Sequence, residues 1–440
     1  MSFQPRSCRF CLAVSWVAAL CGTLALIAGC ANSATSNSNR SASSPTVVTF
    51  TITGVPPSVV ATRIGSNPFS QATLTSGKLT INLPSGVTSF AVAYTCSDVP
   101  PPSTGSPSAE QDIFEATTLD GSSFSGSCLG PLPAFSSVGT LTGSSDARAI
   151  PGVTYMSTDV SGDSSLWAFG SPSTNVSSFS FSAVKGSDRV LVLAYDAVFS
   201  PPAATGSTTL AAVKNFDNQQ VPGSLNGGNP VVLTPSDETT SAPITYGSLP
   251  SGFSSQGTTA NLLVSGETIV LAVPATSQYP VLPSGAIENG DAYSIKTIAS
   301  NGSEVTSIAK TLTAAGPVAF NYPAVWSYSG PVPSSTPTFN VSYSGFSGNN
   351  RLDYRTSWTW TAGGVHNYAN VYATANYLNG GTSITWPDIS AVTGFLSLPV
   401  SGTYVNWSAG ITQTIYDSNP ASISNATVTS VANEGVYQIP

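Results

Sequence analysis

Residues that commonly catalyse reactions are scarce in this chain. Its one histidine, His366, lies in the segment GGVHNYAN, and the sequence has no G-x-S-x-G nucleophile elbow. A Ser-His-Asp triad would need this histidine as its base, but a lone histidine beside two glycines is more typical of a loop. Transition metals need several free His or Cys ligands, which the sequence does not offer. We therefore expect a protein that is not an enzyme and that has no metal and no cofactor.

Carboxylate chemistry is the alternative to that expectation, because glycoside hydrolases need only two acids across a cleft. The candidate acids lie in turn-like sequence and are Asp353, Asp388, Glu434 and the adjacent Asp237 and Glu238. Solvated loop acids are the simpler interpretation of this scatter. Asp159 and Asp163 could donate oxygens to calcium, but their spacing matches no EF-hand loop.

Aromatic residues cluster near the C-terminus beside Asn, Thr and Gly. The candidate ligand-binding residues are Tyr354, Trp358, Trp360, Tyr368, Tyr372, Trp386 and Trp407. On an extended strand the first three share one face. That face could be a platform on which sugar rings stack, a contact surface for a protein, or part of a tryptophan-rich core with cross-strand aromatic pairs.

Composition narrows the choice of partners. The 440 residues are only 8% charged and carry a net charge of −8, with no cluster of Lys and Arg. Nucleic-acid binding requires a basic stripe that displaces counterions. We therefore expect no nucleic-acid partner and interpret the acidity as an aid to solubility.

The N-terminus predicts export. Arg6 and Arg9 precede nineteen uncharged residues, which is typical of a signal peptide, although the run is nearly long enough to be an uncleaved anchor helix. The run ends in LIAGC, residues 26–30, and this ending resembles the lipobox of bacterial lipoproteins.

The resemblance implies that residues 1–29 are removed and that Cys30 becomes the lipidated N-terminus, anchored by several acyl chains. Ala31 stands where Asp would mark retention in the inner membrane of Gram-negative bacteria, so the resemblance favours the outer membrane. In a Gram-positive host the protein would lie on the outer face of the single membrane. Residues 30–46 are rich in Ser and Asn and predict a flexible tether.

Two cysteines remain beyond the lipobox. Cys96 and Cys128 would reside in an oxidising compartment, where an even pair predicts a disulfide. Closing a loop of this length contributes about 3–4 kcal/mol in the chain-entropy model.

A phrase recurs along the chain and predicts its fold. LPSGVTSFAVAY (83–94) and VKGSDRVLVLAY (184–195) each contain a glycine followed by a continuous apolar run. Before the glycine, apolar residues alternate at Leu79, Ile81 and Leu83 in the first copy and at Phe179 and Phe181 in the second. We interpret each as two strands joined by a tight turn, the first half-buried and the second buried on both faces. Similar phrases return at 262–273 and 396–407, which suggests repeated β modules.

Proline-rich breaks divide the mature chain. They predict a β-sandwich region at 47–200 with the disulfide, a second module at 201–330 and an aromatic-rich module at 331–440. The module style resembles carboxypeptidase-regulatory-like and other immunoglobulin-like sandwiches of bacterial surface proteins, which implies an all-β fold of tandem sandwiches. The resemblance supports the fold and implies no particular activity.

These observations predict a membrane-anchored surface lipoprotein that acts as a non-catalytic binding or structural module. Its partner would be an envelope polysaccharide or protein, and the C-terminal aromatics would be the contact surface. The alternatives are a glycan-active hydrolase with two carboxylates and a purely architectural spacer. The spacer alternative predicts that all four late tryptophans are buried.

Overall fold

The computed structural model describes residues 46–99, 108–128, 138–160, 168–169, 176–184, 186–198, 207–264, 267–326, 328, 330–332, 334, 336–346, 351–416 and 426–440. This part of the chain is almost entirely β, which confirms the predicted all-β class. Cys30, nearly all of the tether and Asp163 lie outside the described residues, so the lipid anchor and the calcium hypothesis stay predictions.

The described residues of the first half of the chain contribute thirteen strands. They are β1 (Thr46–Gly54), β2 (Val59–Ile64), β3 (Ser70–Gln71), β4 (Lys78–Leu83), β5 (Ser89–Val99), β6 (Ser108–Thr117), β7 (Ser123–Cys128), β8 (Val138–Asp146), β9 (Tyr155–Val160), β10 (Ala168–Phe169), β11 (Val176–Val184), β12 (Gly186–Val198) and β13 (Ser207–Val221).

The described residues of the second half contribute fifteen strands and one short α-helix. They are β14 (Gly223–Ser224), β15 (Val231–Val232), β16 (Thr240–Tyr246), β17 (Ser254–Val264), β18 (Glu267–Val273), β19 (Gln278–Val281), β20 (Ala292–Ser300), β21 (Glu304–Leu312), β22 (Val318–Phe320), β23 (Thr338–Asn340), β24 (Arg351–Ala362), β25 (Val365–Thr374), α1 (Ala375–Leu378), β26 (Ser383–Thr385), β27 (Tyr404–Tyr416) and β28 (Ala426–Gln438).

Sixteen of these strands form one continuous sheet. Their order is β10-β9-β12-β13-β18-β17-β20-β21-β28-β27-β24-β25-β6-β5-β2-β3. Every neighbouring pair described in this sheet is antiparallel except β6 and β25, which run parallel over Ser108–Glu115 and His366–Ala373. The N-terminal strands therefore join the C-terminal strands directly, at a border that we call the seam.

Four hydrophobic cores lie between the main sheet and smaller covering layers. The layer β4-β1-β7 covers β2, β5 and β6, and the layer of β8, β11 and β15 covers β9, β12 and β13. The layer β19-β16-β22 covers the middle of the sheet, and β23 with β26 covers the C-terminal strands. We call this last one the tryptophan core.

The two long strands after the repeated glycine are buried on both faces, as their sequence predicts. In β5, Phe90 and Val92 face the core under β1, while Ala91 and Ala93 face the tryptophan core. In β12, alternate residues likewise belong to two different cores. A strand between two cores needs apolar residues at every position, which explains the continuous runs.

The expectation of four hairpins is corrected, because just one of the four phrases forms a hairpin. Strand β4 pairs with β1 while β5 pairs with β2 and β6, so the turn at Gly86 (φ 82°) crosses between two layers. The step from β11 to β12 is of the same kind. The third phrase is a hairpin of β17 and β18, and the fourth has no strand before β27.

The two larger cores share one face of the main sheet, and the other two cover the opposite face at its ends. Ile308 of the middle core lies opposite Thr429 on β28, and Val431, two residues further on the same face, belongs to the tryptophan core. On the opposite face, the consecutive strands β17, β20, β21, β28, β27, β24 and β25 of the sheet have no covering strand layer among the described residues. We call that surface, together with the part of β6 that adjoins β25 across the seam, the polar face.

The main sheet continues past both predicted domain boundaries, since β12 pairs with β13 and β21 pairs with β28. The division at about 200 and 330 and the immunoglobulin-like character of the modules stay predictions.

Candidate functional site

The polar face is built from the residues that alternate with core residues along each strand. Along β20 the odd-numbered residues are buried in the middle core, whereas Ser294, Lys296 and Ile298 are half-buried on the other side. On β27 the side chains of Tyr404 and Asn406 are exposed. Hydroxyls, amides and small residues thus line the surface, as the low charge of the sequence requires.

Two carboxyl groups lie side by side at the seam end of this face. Glu110 and Asp112 are two residues apart on β6 and therefore point to the same side. Asn370 lies opposite Asp112 on β25, and its Nδ2 donates to Asp112 Oδ1 at 2.8 Å and to Glu110 Oε1 at 3.3 Å. One amide thus joins both acids.

The orientation of this amide is fixed by donors on β24. Ser357 Oγ donates to Asn370 Oδ1 at 2.7 Å, and Arg355 Nη2 donates to the same oxygen at 3.0 Å. Because the amide oxygen accepts from both groups, the Nδ2 hydrogens are left for the acids. The network crosses three strands and joins the N-terminal to the C-terminal part of the chain.

Burial changes the proton affinity of both acids. Asp112 is 5% exposed, and desolvation raises its pKa against the hydrogen bonds from Asn370 and Tyr94. Glu110 is half-buried, and desolvation followed by repulsion from Asp112 raises its pKa from 4.5 to about 8, although Arg355 acts in the opposite direction. The pair therefore retains a proton at neutral pH.

Two of the predicted aromatic residues border the acids. Tyr368 lies opposite Glu110 across the seam and opposite Thr359 on its other side, and it is half-buried. Tyr372 lies opposite Arg355, whose guanidinium carbon is 5.2 Å from the centre of its ring. These rings stand beside hydrogen-bonding groups, which is the combination expected of a sugar site.

The remaining predicted aromatics lie on the opposite face. Trp358, Trp360, Trp386 and Trp407 are between 1% and 9% exposed, and Tyr354 packs against the same core. Trp358 stacks on Trp386 with ring centres 5.9 Å apart. The tryptophans therefore form a hydrophobic core and not an exposed platform. Their large rings fill the space between the sheet and a cover of just two short strands.

The other sequence candidates do not assemble around a cleft. Asp388 is exposed, and its pKa is lowered by hydrogen bonds from Ser390. Asp237 accepts from the backbone N–H of Thr234 in a short turn, and Glu238 follows it. Asp353 and Glu434 lie on the polar face.

The remaining two candidates also have separate places. Burial raises the pKa of Asp159 on β9 to about 6. His366 Nδ1 lies 3.0 Å from Thr361 Oγ1 at the end of β25.

The acid pair was missed by the sequence analysis, although a signal was present. The segment EQDIFEATTLD, residues 110–120, holds four acids in a chain with 21 in total. All four contact the C-terminal strands or helix α1. Glu115 pairs with Arg63 and accepts from Tyr377 Oη at 3.2 Å, while Asp120 accepts from Thr374 Oγ1 at 2.7 Å.

Comparison with known proteins leaves the site to be interpreted from its own geometry. No protein-family model matches the chain, and no curated protein matches its sequence. Within the described residues, no group of three or more His, Cys, Asp or Glu could hold a metal. A search of the same residues found no helix long and apolar enough to cross a membrane.

The raised pKa of Glu110 predicts how stability depends on pH. A carboxyl with a pKa of about 8 when folded and 4.5 when unfolded stabilises the fold fully below pH 4.5, and this contribution is lost as the pH rises to about 8. We expect the melting temperature to fall over this range, and to fall less in Glu110→Gln, whose amide is neutral throughout. The measurement is differential scanning calorimetry across the pH range.

The exposed acid Asp388 supplies the control. Its pKa is lowered, so it is ionised throughout this range in both states, and Asp388→Asn should keep the wild-type slope. A Glu110→Gln protein with the full wild-type slope would show that Glu110 has an ordinary pKa in the fold.

Proposed function

We propose that this protein is an exported lipoprotein that binds a hydroxyl-rich ligand, such as an envelope polysaccharide, without chemically changing it. The anchor would be the acyl chains on Cys30, which the lipobox implies. The observation that supports the ligand class is the network of Glu110, Asp112 and Asn370 beside Tyr368 on the half-buried polar face.

The shape of the surface suits an extended ligand. Glu110, Tyr368, Thr359 and Asn406 follow one another across the neighbouring strands β6, β25, β24 and β27. Adjacent strands are about 4.8 Å apart, so this row is about 14 Å long. A short oligosaccharide could lie along it, with ring C–H groups on Tyr368 and hydroxyls on the carboxyl, the hydroxyl and the amide.

The chemistry of the row is that of recognition. A protonated Glu110 both donates and accepts hydrogen bonds, as sugar hydroxyls do. Asn406 is exposed and can reach a ligand with both halves of its amide. A row of uncharged groups of this kind favours uncharged glycans over anionic ones.

Two alternative functions each have one observation in their favour. The raised pKa of Glu110 beside a second acid favours a two-carboxylate hydrolase, but both acids lie on one strand and Asp112 is almost fully buried. The burial of all four late tryptophans favours the architectural spacer. Hydrolysis of a bound glycan would identify the first alternative, and failure to bind any glycan would favour the second.

The test is a glycan-array screen of the soluble chain 31–440. We expect binding to at least one neutral glycan, and about a tenfold or greater loss of affinity in Tyr368→Ala and in Asn406→Ala, equivalent to about 1.4 kcal/mol. Each variant removes one contact from the row without touching the tryptophan core.

The matched control is Asn289→Ala, which removes an exposed asparagine from a turn away from the polar face. It should bind as the wild type does. Equal losses in Asn289→Ala and Asn406→Ala, or unchanged binding in both row variants, would show that the ligand binds elsewhere.

A further inference from the structure

Three buried polar side chains line up in the tryptophan core. Thr95 on β5 lies opposite Gln111 on β6, Gln111 lies opposite Ala369 on β25, and Ala369 lies opposite Trp358 on β24. This row is on the core side of the sheet, the side opposite the acid pair, since Ala93, Ile113 and Val371 belong to the same core.

None of the three has its hydrogen-bonding capacity satisfied by the described protein atoms. The side chains of Thr95, Gln111 and Trp358 are 5%, 0% and 1% exposed, and Thr95 Oγ1, Gln111 Nε2 and Trp358 Nε1 have no hydrogen-bond partner there. Leaving such a group unpaired destabilises the fold, because the group loses its hydrogen bonds to water and gains none in the protein. Three unpaired groups in one row add these costs together.

The orientation of the glutamine is fixed from outside the row. Its Oε1 accepts the backbone N–H of Leu396 at 2.7 Å, so its Nε2 must face the other way. Between Gln111 and Trp358 stands Ala369, whose side chain is a single methyl group. Because Ala369 is shorter than the side chains on either side of it, a small molecule could fit above it.

From this row we infer an internal hydration site, occupied by one or two water molecules held by Thr95, Gln111 and Trp358. Gln111 Nε2 and Trp358 Nε1 can only donate, whereas the Thr95 hydroxyl can both donate and accept. The ligand must therefore accept two hydrogen bonds and can exchange a third, in either direction, with the hydroxyl, which a water molecule does. The row has no cationic side chain, so an anion would be buried without a counter-charge.

The segment 386–399 closes the site from above. Trp386 stacks on Trp358, and the backbone of Leu396 holds Gln111. Gly394 adopts a φ of 98° and approaches β2 so closely that a Cβ would lie 2.6 Å from Val59 Cγ2. Water at this site would therefore be enclosed between the segment and the sheet as part of the folded structure.

Two matched substitutions test the site, because we expect them to change the melting temperature differently. Thr95→Val removes a hydroxyl that we expect to bind water, and it should lower the melting temperature by about 2 °C. Thr306→Val removes an equally buried hydroxyl without a partner, but the neighbours of Thr306 are Ala299 and Val431. That variant should have an unchanged or higher melting temperature.

A rise in the melting temperature of Thr95→Val, like that of Thr306→Val, would overturn the proposal, because it would show that the hydroxyl is dry. A high-resolution crystal structure provides the direct measurement. Electron density for water within about 3.2 Å of Gln111 Nε2 and Trp358 Nε1 is expected, and its absence would overturn the proposal whatever the variants show.

Discussion

Replacing Trp358 by alanine should destabilise the protein by about 3–5 kcal/mol, the range for the loss of a large buried ring. Trp358 is 1% exposed and contacts Phe339 and Trp386, with both ring centres 5.9 Å away. It also lies opposite Trp407 on β27. Its removal opens a cavity between β24 and its cover, which the surrounding rings fill just in part.

Urea unfolding monitored by tryptophan fluorescence and circular dichroism measures this effect. The control is Tyr404→Ala on the neighbouring strand β27, because Tyr404 is 68% exposed and its loss should change stability by less than about 0.5 kcal/mol. If Trp358→Ala is as stable as Tyr404→Ala, Trp358 is not part of a packed core and the platform interpretation returns.

Removing the disulfide should cost about 4 kcal/mol. Cys96 on β5 and Cys128 on β7 are 32 residues apart and are bonded, which confirms the pairing expected from the sequence. The bond ties the main sheet to its covering layer β4-β1-β7, and in the chain-entropy model it restricts the unfolded chain in proportion to the logarithm of the loop length. Both cysteines are 1% exposed, so alanine is the suitable replacement.

The measurement compares the free energy of unfolding of the Cys96→Ala/Cys128→Ala double variant with that of the wild type, in oxidising and in reducing buffer. The oxidised wild type should be the most stable, and the reduced wild type should approach the variant. A variant that loses less than about 1 kcal/mol would show that β1, β4 and β7 are held to the sheet by packing alone.

Local patterns in the sequence predicted the strands and their burial well. The alternating segments before Gly86 and Gly186 predicted β4 and β11, and the continuous apolar runs after these glycines predicted strands between two cores. Both signals depend on the side-chain period of a strand, which each segment carries by itself. The disulfide was equally accessible, because two cysteines allow one pairing.

The pairing of the strands, in contrast, could not be predicted from local sequence patterns. The phrases at 83–94 and 184–195 look like hairpins, but whether a turn returns to the same layer depends on which core each strand covers. The seam joins residues such as Asp112 and Asn370, which are 258 positions apart. No local pattern encodes a parallel pairing at that distance.

The sequence also did not show which side of the sheet carries the site. Alternation places Trp358 and Ser357 on opposite faces of β24 without showing which face is covered. The clustered tryptophans predicted a site on the face that proves to be the apolar one, whereas the acids and Asn370 lie on the polar face. The acid-rich segment 110–120 was the available signal, since a half-buried strand seldom carries carboxyls without a structural or functional role.

The polar face carries a desolvated acid pair at the seam, and the proposed ligand row begins at this pair. The most direct measurement is a ¹³C NMR titration of the glutamate carboxyl carbons in selectively labelled protein, with the Glu110 signal assigned by its absence in Glu110→Gln. We predict a midpoint for Glu110 of about pH 8. A midpoint near the ordinary value of 4.5 would mean that Glu110 is solvated and separate from Asp112, and would contradict the account.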